Sequence, residues 1–158
     1  MNKNKAHQFI HTKRVDESGA WYGLDNAGVI MPAVTNSVNT SLFRFEFRLA
    51  ANIDLDALNR ALRDCANRFP YFNVSLKRGF FWYYLDQCKT SPRAYSDQGS
   101  PCQDWNINKR GTRMFRIRVQ GDRLAGEFSH ALTDGFGAMA FMKNLLVRYY
   151  ALLGVDAG

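Results

Sequence analysis

The most constraining feature of the sequence is a change of hydrophobic period between residues 41 and 70. From Ser41 to Ala50, Phe43, Phe45, Phe47 and Leu49 alternate with Arg44, Glu46 and Arg48. A period of two puts the apolar side chains on one face of a strand and the charged ones on the other. Beyond Asp54 the period lengthens: Leu55, Leu58, Leu62, Cys65, Ala66 and Phe69 recur at spacings of three and four, as on one side of an amphipathic helix. Asp54 is a suitable N-cap, Asp56 and Arg60 form a favourable i, i+4 pair, and Pro70 closes the helix. A strand and a helix that each carry one apolar side must bury those sides against other elements, which points to a layered sheet-and-helix domain. Cys65 falls on the apolar side and is read as packing, not as a nucleophile.

The rest of the chain extends the pattern. Phe72, Val74 and Leu76 alternate, Lys77-Arg78-Gly79 makes a short turn, and Phe80-Phe81-Trp82-Tyr83-Tyr84-Leu85 follows as a second strand, predicted to be covered on both faces. Residues 86–111 are rich in Ser, Pro, Gln, Asn and Gly and read as a surface excursion carrying Trp105. Phe115, Ile117 and Val119 then alternate with Arg116 and Arg118. Gly121-Asp122 turns the chain, Leu124 to Ser129 returns, and a long helical run extends from about Phe136 to Leu153. The order strand, helix, hairpin, loop, hairpin, helix predicts an α+β (α/β) two-layer sandwich, with a mainly antiparallel or mixed sheet and two main helices on one face. Residues 1–20 are basic and polar without a period and read as a flexible terminus. Residues 21–158 read as one folded unit, in which Trp21 to Pro32 is a loop or short helix tied to the core.

Composition narrows the function classes. With 46% hydrophobic and 14% aromatic residues in 158, the chain is globular, not disordered. The formal charge of +7 comes from scattered Lys and Arg; solubility accounts for it, with attraction to a nucleotide-bearing cofactor as the best functional competitor. The aromatic run at 80–85 does not alternate with basic residues, so no nucleic-acid partner is expected. Cys65, Cys88 and Cys102 contain no CxxC pair, and His7 and His11 at i, i+4 lack an accompanying carboxylate motif. Neither a disulfide framework nor a metal site is expected. No signal-peptide core and no uninterrupted spanning run is present, so a cytoplasmic protein without a membrane span is expected.

The stretch Glu127-Phe128-Ser129-His130-Ala131-Leu132-Thr133-Asp134-Gly135 delivers a histidine from a strand, then an Asp-Gly pair, then a helix. Ordinary roles are available to each residue. His130 can be a satisfied core histidine, Thr133 or Asp134 can cap the helix, and Asp134 or Gly135 can absorb a tight turn. In its context of strand, amphipathic helix and hairpins, however, the chain resembles the chloramphenicol acetyltransferase-like superfamily of CoA-dependent acyltransferases, which includes the condensation domains of peptide synthetases. That superfamily's His-x-x-x-Asp-Gly signature is matched by His130, Asp134 and Gly135. Within it the chain looks closest to the alcohol O-acetyltransferase-like proteins, through Leu24-Asp25-Asn26-Ala27, the helix Leu55–Phe69 with Arg68-Phe69-Pro70, and Gly79-Phe80-Phe81-Trp82-Tyr83-Tyr84.

The resemblance implies that His130 is the general base. It would deprotonate an acceptor hydroxyl or amine as that group attacks the thioester of acetyl-CoA or another acyl-CoA, a co-substrate that is not permanently bound. Histidine suits this because its proton equilibrium lies near neutrality. Asp134 is implied to be structural, pairing with an arginine, and Gly135 to permit the close turn. The resemblance also implies one half of a two-half fold, the N-terminal one, with the active site in a tunnel between the halves. The C-terminal half is expected to be a missing continuation or, alternatively, a second copy in a homodimer. Ala138, Phe141, Met142, Leu145, Leu146, Tyr149, Leu152 and Leu153 are expected to form an apolar surface for that partner. The competing reading is a non-catalytic half-domain that binds acyl-CoA, a carrier protein or a partner subunit.

Overall fold

The strand read from Phe43, Phe45 and Phe47 and the helix capped by Asp54 both form, and the remaining elements assemble around them. The structure is a computed structural model that describes residues 13–16, 19–23, 41–80, 83–103, 105, 106, 109 and 111–155. In chain order the strands are β1 (Lys13–Asp16), β2 (Gly19–Gly23), β3 (Leu42–Arg48), β4 (Val74–Arg78), β5 (Tyr83–Gln87), β6 (Ala94–Ser96), β7 (Phe115–Gln120) and β8 (Arg123–Ser129). The helices are α1 (Leu55–Arg68) and α2 (Gly135–Leu152), with a 3-10 turn at Pro70–Phe72.

Among the described residues the strands form two four-stranded sheets, ordered β1-β2-β5-β4 and β3-β8-β7-β6. All pairs are antiparallel except β6 with β7. The sheets meet where the amide of Met114 donates to the carbonyl of Val74 at 3.2 Å, beside a single bridge between Ser75 and Arg113. The α+β class with two main helices is therefore as expected, although the strands divide into two sheets.

Local chemistry explains the helix limits. Asp54 accepts from the amides of Asp56 and Ala57, both at 2.9 Å, which satisfies donors that no helical carbonyl can reach. Its own amide donates to the Tyr149 hydroxyl at 3.0 Å and so ties the start of α1 to the end of α2. Arg148 joins Asp64 at 2.6 Å across the same helix pair. Between helices and sheet, Phe72, Phe115, Phe128 and Phe141 are essentially fully buried. Phe72 stacks on Phe141 at 4.6 Å and Phe115 lies edge-on to Phe141 at 5.0 Å. At Gly126 on β8 an added Cβ would sit 2.6 Å from Met142 Sδ and 2.7 Å from the Phe128 ring. The missing side chain thus lets α2 approach the sheet.

Several expectations are corrected. The segment read as a flexible terminus, residues 1–20, contains β1 and the start of β2, a hairpin joined to β5 farther along β2 through Trp21–Asp86, Tyr22–Leu85 and Gly23–Tyr84. Trp21 accordingly lies in a strand, not in a loop or short helix. The second strand of the β4/β5 hairpin begins at Tyr83 rather than Phe80, which is 92% exposed. In β5 only Leu85 is buried, so this strand is not covered on both faces. Asp56 and Arg60 form no ion pair among the described residues; α1 is held by its cap and its buried side instead. The apolar side of α2 is also not a partner surface along most of its length, because Ala138, Phe141, Met142, Leu145 and Tyr149 are buried in the chain's own core. Leu24 to Ala27, His7, His11, Phe81 and Trp82 lie outside the described residues.

Candidate active site

The end of β8 is shaped by the residue before the histidine. Ser129 is fully buried. Its hydroxyl accepts from the Ala131 amide at 3.2 Å, and its carbonyl accepts from the amides of Leu132 at 2.9 Å and Thr133 at 3.3 Å. One residue thereby collects the donors of three successors and turns the chain sharply off the strand. Ala131 and Leu132 are driven into the core by the turn, whereas His130 is left exposed.

The histidine backbone belongs to the sheet. Its amide donates to the Ser41 carbonyl at 2.9 Å, one step beyond the Leu42–Ser129 pair. The imidazole lies against the ring of Phe43, with centroids 4.4 Å apart and planes tilted by 35°. His130 is therefore not a core histidine. One ring side rests on an aromatic surface, and the side chain is open to solvent, so an incoming group has access.

Asp134 is the N-cap of α2. Its Oδ1 accepts from the Gly137 amide at 2.8 Å, and its carbonyl accepts from the Ala138 amide at 3.0 Å. Among the described residues no lysine or arginine lies within ion-pair distance of Asp134, so the arginine partner implied by the resemblance is not found among them. Gly135 occupies the first helical position. A Cβ there would meet only the Phe45 ring, at 3.9 Å, in ordinary contact, so the local backbone does not demand a glycine. The glycine that the corner requires is Gly137: a Cβ on it would lie 2.1 Å from Thr133 Oγ1. Ser129 and Gly137 were missed in the sequence, although a small hydroxyl residue at a strand end and a second glycine two positions after the first are both visible signals.

A second polar cluster occupies the other face of the same sheet. Glu127, 0% exposed, accepts from Arg116 Nε at 2.5 Å, from an Arg44 nitrogen at 3.0 Å and from the Cys102 amide at 3.0 Å. Asp97 pairs with Arg44 and, at 2.8 Å, with Arg118 Nε. Burial pushes the Glu127 carboxyl upward, but the Cys102 amide and the Arg116 and Arg44 guanidiniums outweigh it and hold the group below the usual carboxylate range. Asp97 is also held low, chiefly by its hydrogen bond to Arg44, with burial opposing. The described residues of 86–111 are consequently not a free excursion. They supply β6 and then lay Asp97, Cys102 and Trp105 over this cluster, with the Arg116 guanidinium 4.9 Å from the Trp105 ring centroid.

Cys65 is buried on α1, and desolvation pushes its thiol up to about 11, which agrees with a packing role. Among the described residues no group of three His, Cys, Asp or Glu side chains is placed to hold a metal. Nor is any helix among the described residues long and apolar enough to cross a membrane.

With this geometry in hand, the architecture can be set beside solved structures. The starter condensation domain of rhizomide synthetase matches 87% of the chain with a TM-score of 0.66 at 14% identity. Polyketide synthase associated protein 5 from Mycobacterium tuberculosis matches 85% with a TM-score of 0.61 at 16% identity. The tallysomycin biosynthesis protein TlmII matches 82% with a TM-score of 0.62 at 11% identity. The fold is that of part of a condensation domain. The chain spans 40% of the rhizomide synthetase domain, 34% of the mycobacterial protein and 38% of TlmII. No protein-family model and no curated protein matches the sequence. At these identities the likeness concerns the fold.

Proposed function

We propose that this chain is the histidine-bearing part of an acyltransferase of the condensation-domain superfamily, related to the alcohol O-acetyltransferases, with His130 as general base. The observation that carries the reading is the exposed imidazole of His130, seated on Phe43 at the end of β8 and followed by an Asp134-capped helix, within a fold shared with condensation domains. An acceptor hydroxyl or amine attacks the thioester carbonyl of acetyl-CoA or another acyl-CoA while His130 takes its proton. The tetrahedral intermediate then collapses, the carbon–sulfur bond breaks, and the imidazolium returns the proton to the departing thiolate. Asp134 acts structurally, by capping α2 and so fixing the turn that follows the histidine. The remainder of the site comes from chain beyond the segment described, or from a second copy in a homodimer.

The test is thiol release from acetyl-CoA with alcohol and amine acceptors, measured on the complete polypeptide carrying this segment. His130→Ala is expected to lower the rate by about 10²–10⁴, and an unchanged rate would sink the mechanism. A strictly monomeric 158-residue chain without acyl transfer would exclude the homodimer.

A second reading is favoured by the partial coverage and by one further match. The X-domain of teicoplanin biosynthesis, solved in complex with OxyB, matches 74% of the chain with a TM-score of 0.57 at 16% identity. On that reading this chain is a non-catalytic module that binds acyl-CoA, a carrier protein or a partner subunit. Acyl-CoA binding without turnover by the complete polypeptide would favour it.

A further inference from the structure

A cavity of about 350 Å³ lies along β6 and the start of β7, and among the described residues its lining contains four arginines and no carboxylate. The four guanidiniums differ in how their charge is met. Arg116 is paired with Glu127, and Arg118 with Asp97 and Glu127, so both are neutralised within the sheet cluster. Arg113 is not: its Nε donates to Asn73 Oδ1 at 2.8 Å, and its other contacts are the carbonyl and hydroxyl of Thr90, all uncharged. The exposed Arg93 has no carboxylate within ion-pair distance among the described residues. Among the described residues neither Arg93 nor Arg113 makes an ion pair, Arg113 is held in place by neutral acceptors, and Arg93 also borders a second hollow lined by Asp54 and Asp56.

The same cavity presents flat surfaces. Trp105 lines it, braced by Arg116, and so does Tyr95, which is 56% exposed. Ser96 and Thr112 also belong to the lining. Guanidinium forks recognise phosphate oxygens, aromatic faces receive flat rings, and hydroxyls suit a sugar edge. The volume lies within the range of small-ligand sites. From this set we infer that the cavity is a binding site for a nucleoside diphosphate, with Arg93 and Arg113 on the phosphates and Tyr95 and Trp105 against the base. The inference does not depend on acyl transfer at His130.

Calorimetric titration of the full 158-residue chain with ADP, adenosine and inorganic pyrophosphate tests it. ADP is expected to bind at least about tenfold more tightly than either fragment, since it engages both halves of the cavity. Arg93→Gln and Arg113→Gln are each expected to weaken ADP by about tenfold or more, each removing a charge-assisted contact. Tyr95→Ala is expected to weaken ADP while leaving pyrophosphate unchanged. Arg93 and Tyr95 are exposed, so these variants keep the test sharp even if Arg113→Gln disturbs the Asn73–Thr90 anchorage. Arg48→Gln removes a charge from an exposed arginine that is not part of the cavity lining and is expected to leave affinity unchanged. The inference is overturned if ADP fails to bind, if it binds no better than its fragments, if Arg93→Gln has no effect, or if Arg48→Gln weakens binding as much.

Discussion

Phe128 and Glu127 are neighbours on β8, both 0% exposed, and they represent two ways of burying one strand. Phe128 faces the helices and packs with Phe43, Phe115 and Phe141 at centroid distances of 5.8 to 6.2 Å. Glu127 faces the other way into Arg44, Arg116 and the Cys102 amide. The apolar side gains stability from area removed from water, which depends little on direction. The ionic side must match each oxygen to a donor, because a buried carboxylate without partners is strongly destabilising. The lesson is that the ionic face depends on its cover: Asp97 and Cys102 come from the loop after β6, not from the sheet.

The comparison can be broken from either side. Phe141→Ala, which removes the ring shared by Phe69, Phe72, Phe115 and Phe128, is expected to cost about 4 kcal/mol in urea unfolding. Glu127→Ala is expected to cost about 3 kcal/mol, toward the lower end for a broken buried ion pair because Arg44 and Arg118 keep Asp97. A loss below about 1 kcal/mol would mean that the cluster is effectively solvated.

Acid sharpens the contrast. Glu127 and Asp97 are held below their ordinary range in the folded protein, so as pH falls the unfolded chain takes up these protons first. Their stabilisation is full above the unfolded carboxylate range near about pH 4 and is lost as pH falls through the lower folded values. Urea midpoints are expected to drop on acidification, and less steeply in Glu127→Gln. Equal slopes would contradict the assignment.

The histidine corner supplies the smaller effects. Gly137→Ala is expected to cost about 1–3 kcal/mol by forcing its Cβ onto Thr133 Oγ1. Asp134→Ala is expected to cost about 1 kcal/mol through the lost α2 cap. Thermal unfolding of both variants measures the difference, and a larger loss for Asp134→Ala would point to a partner of that carboxylate beyond the cap.

By itself the sequence determined the elements whose apolar period is set by local geometry. Phe43, Phe45 and Phe47 gave β3, the three- and four-residue spacing with Asp54 gave α1, and Gly121-Asp122 gave the β7/β8 turn. The corner at His130 was legible as a strand-to-helix junction for the same reason. Tertiary structure alone decided what depends on residues far apart in the chain. It joined β1 and β2 to β5, buried the α2 surface that looked available to a partner, and brought Cys102 onto Glu127. It also left His130 exposed on Phe43, 87 positions earlier, while burying Ser129 beside it. Periodicity reports which side of an element avoids water. Which distant charge or ring meets that side is set only when the chain closes on itself.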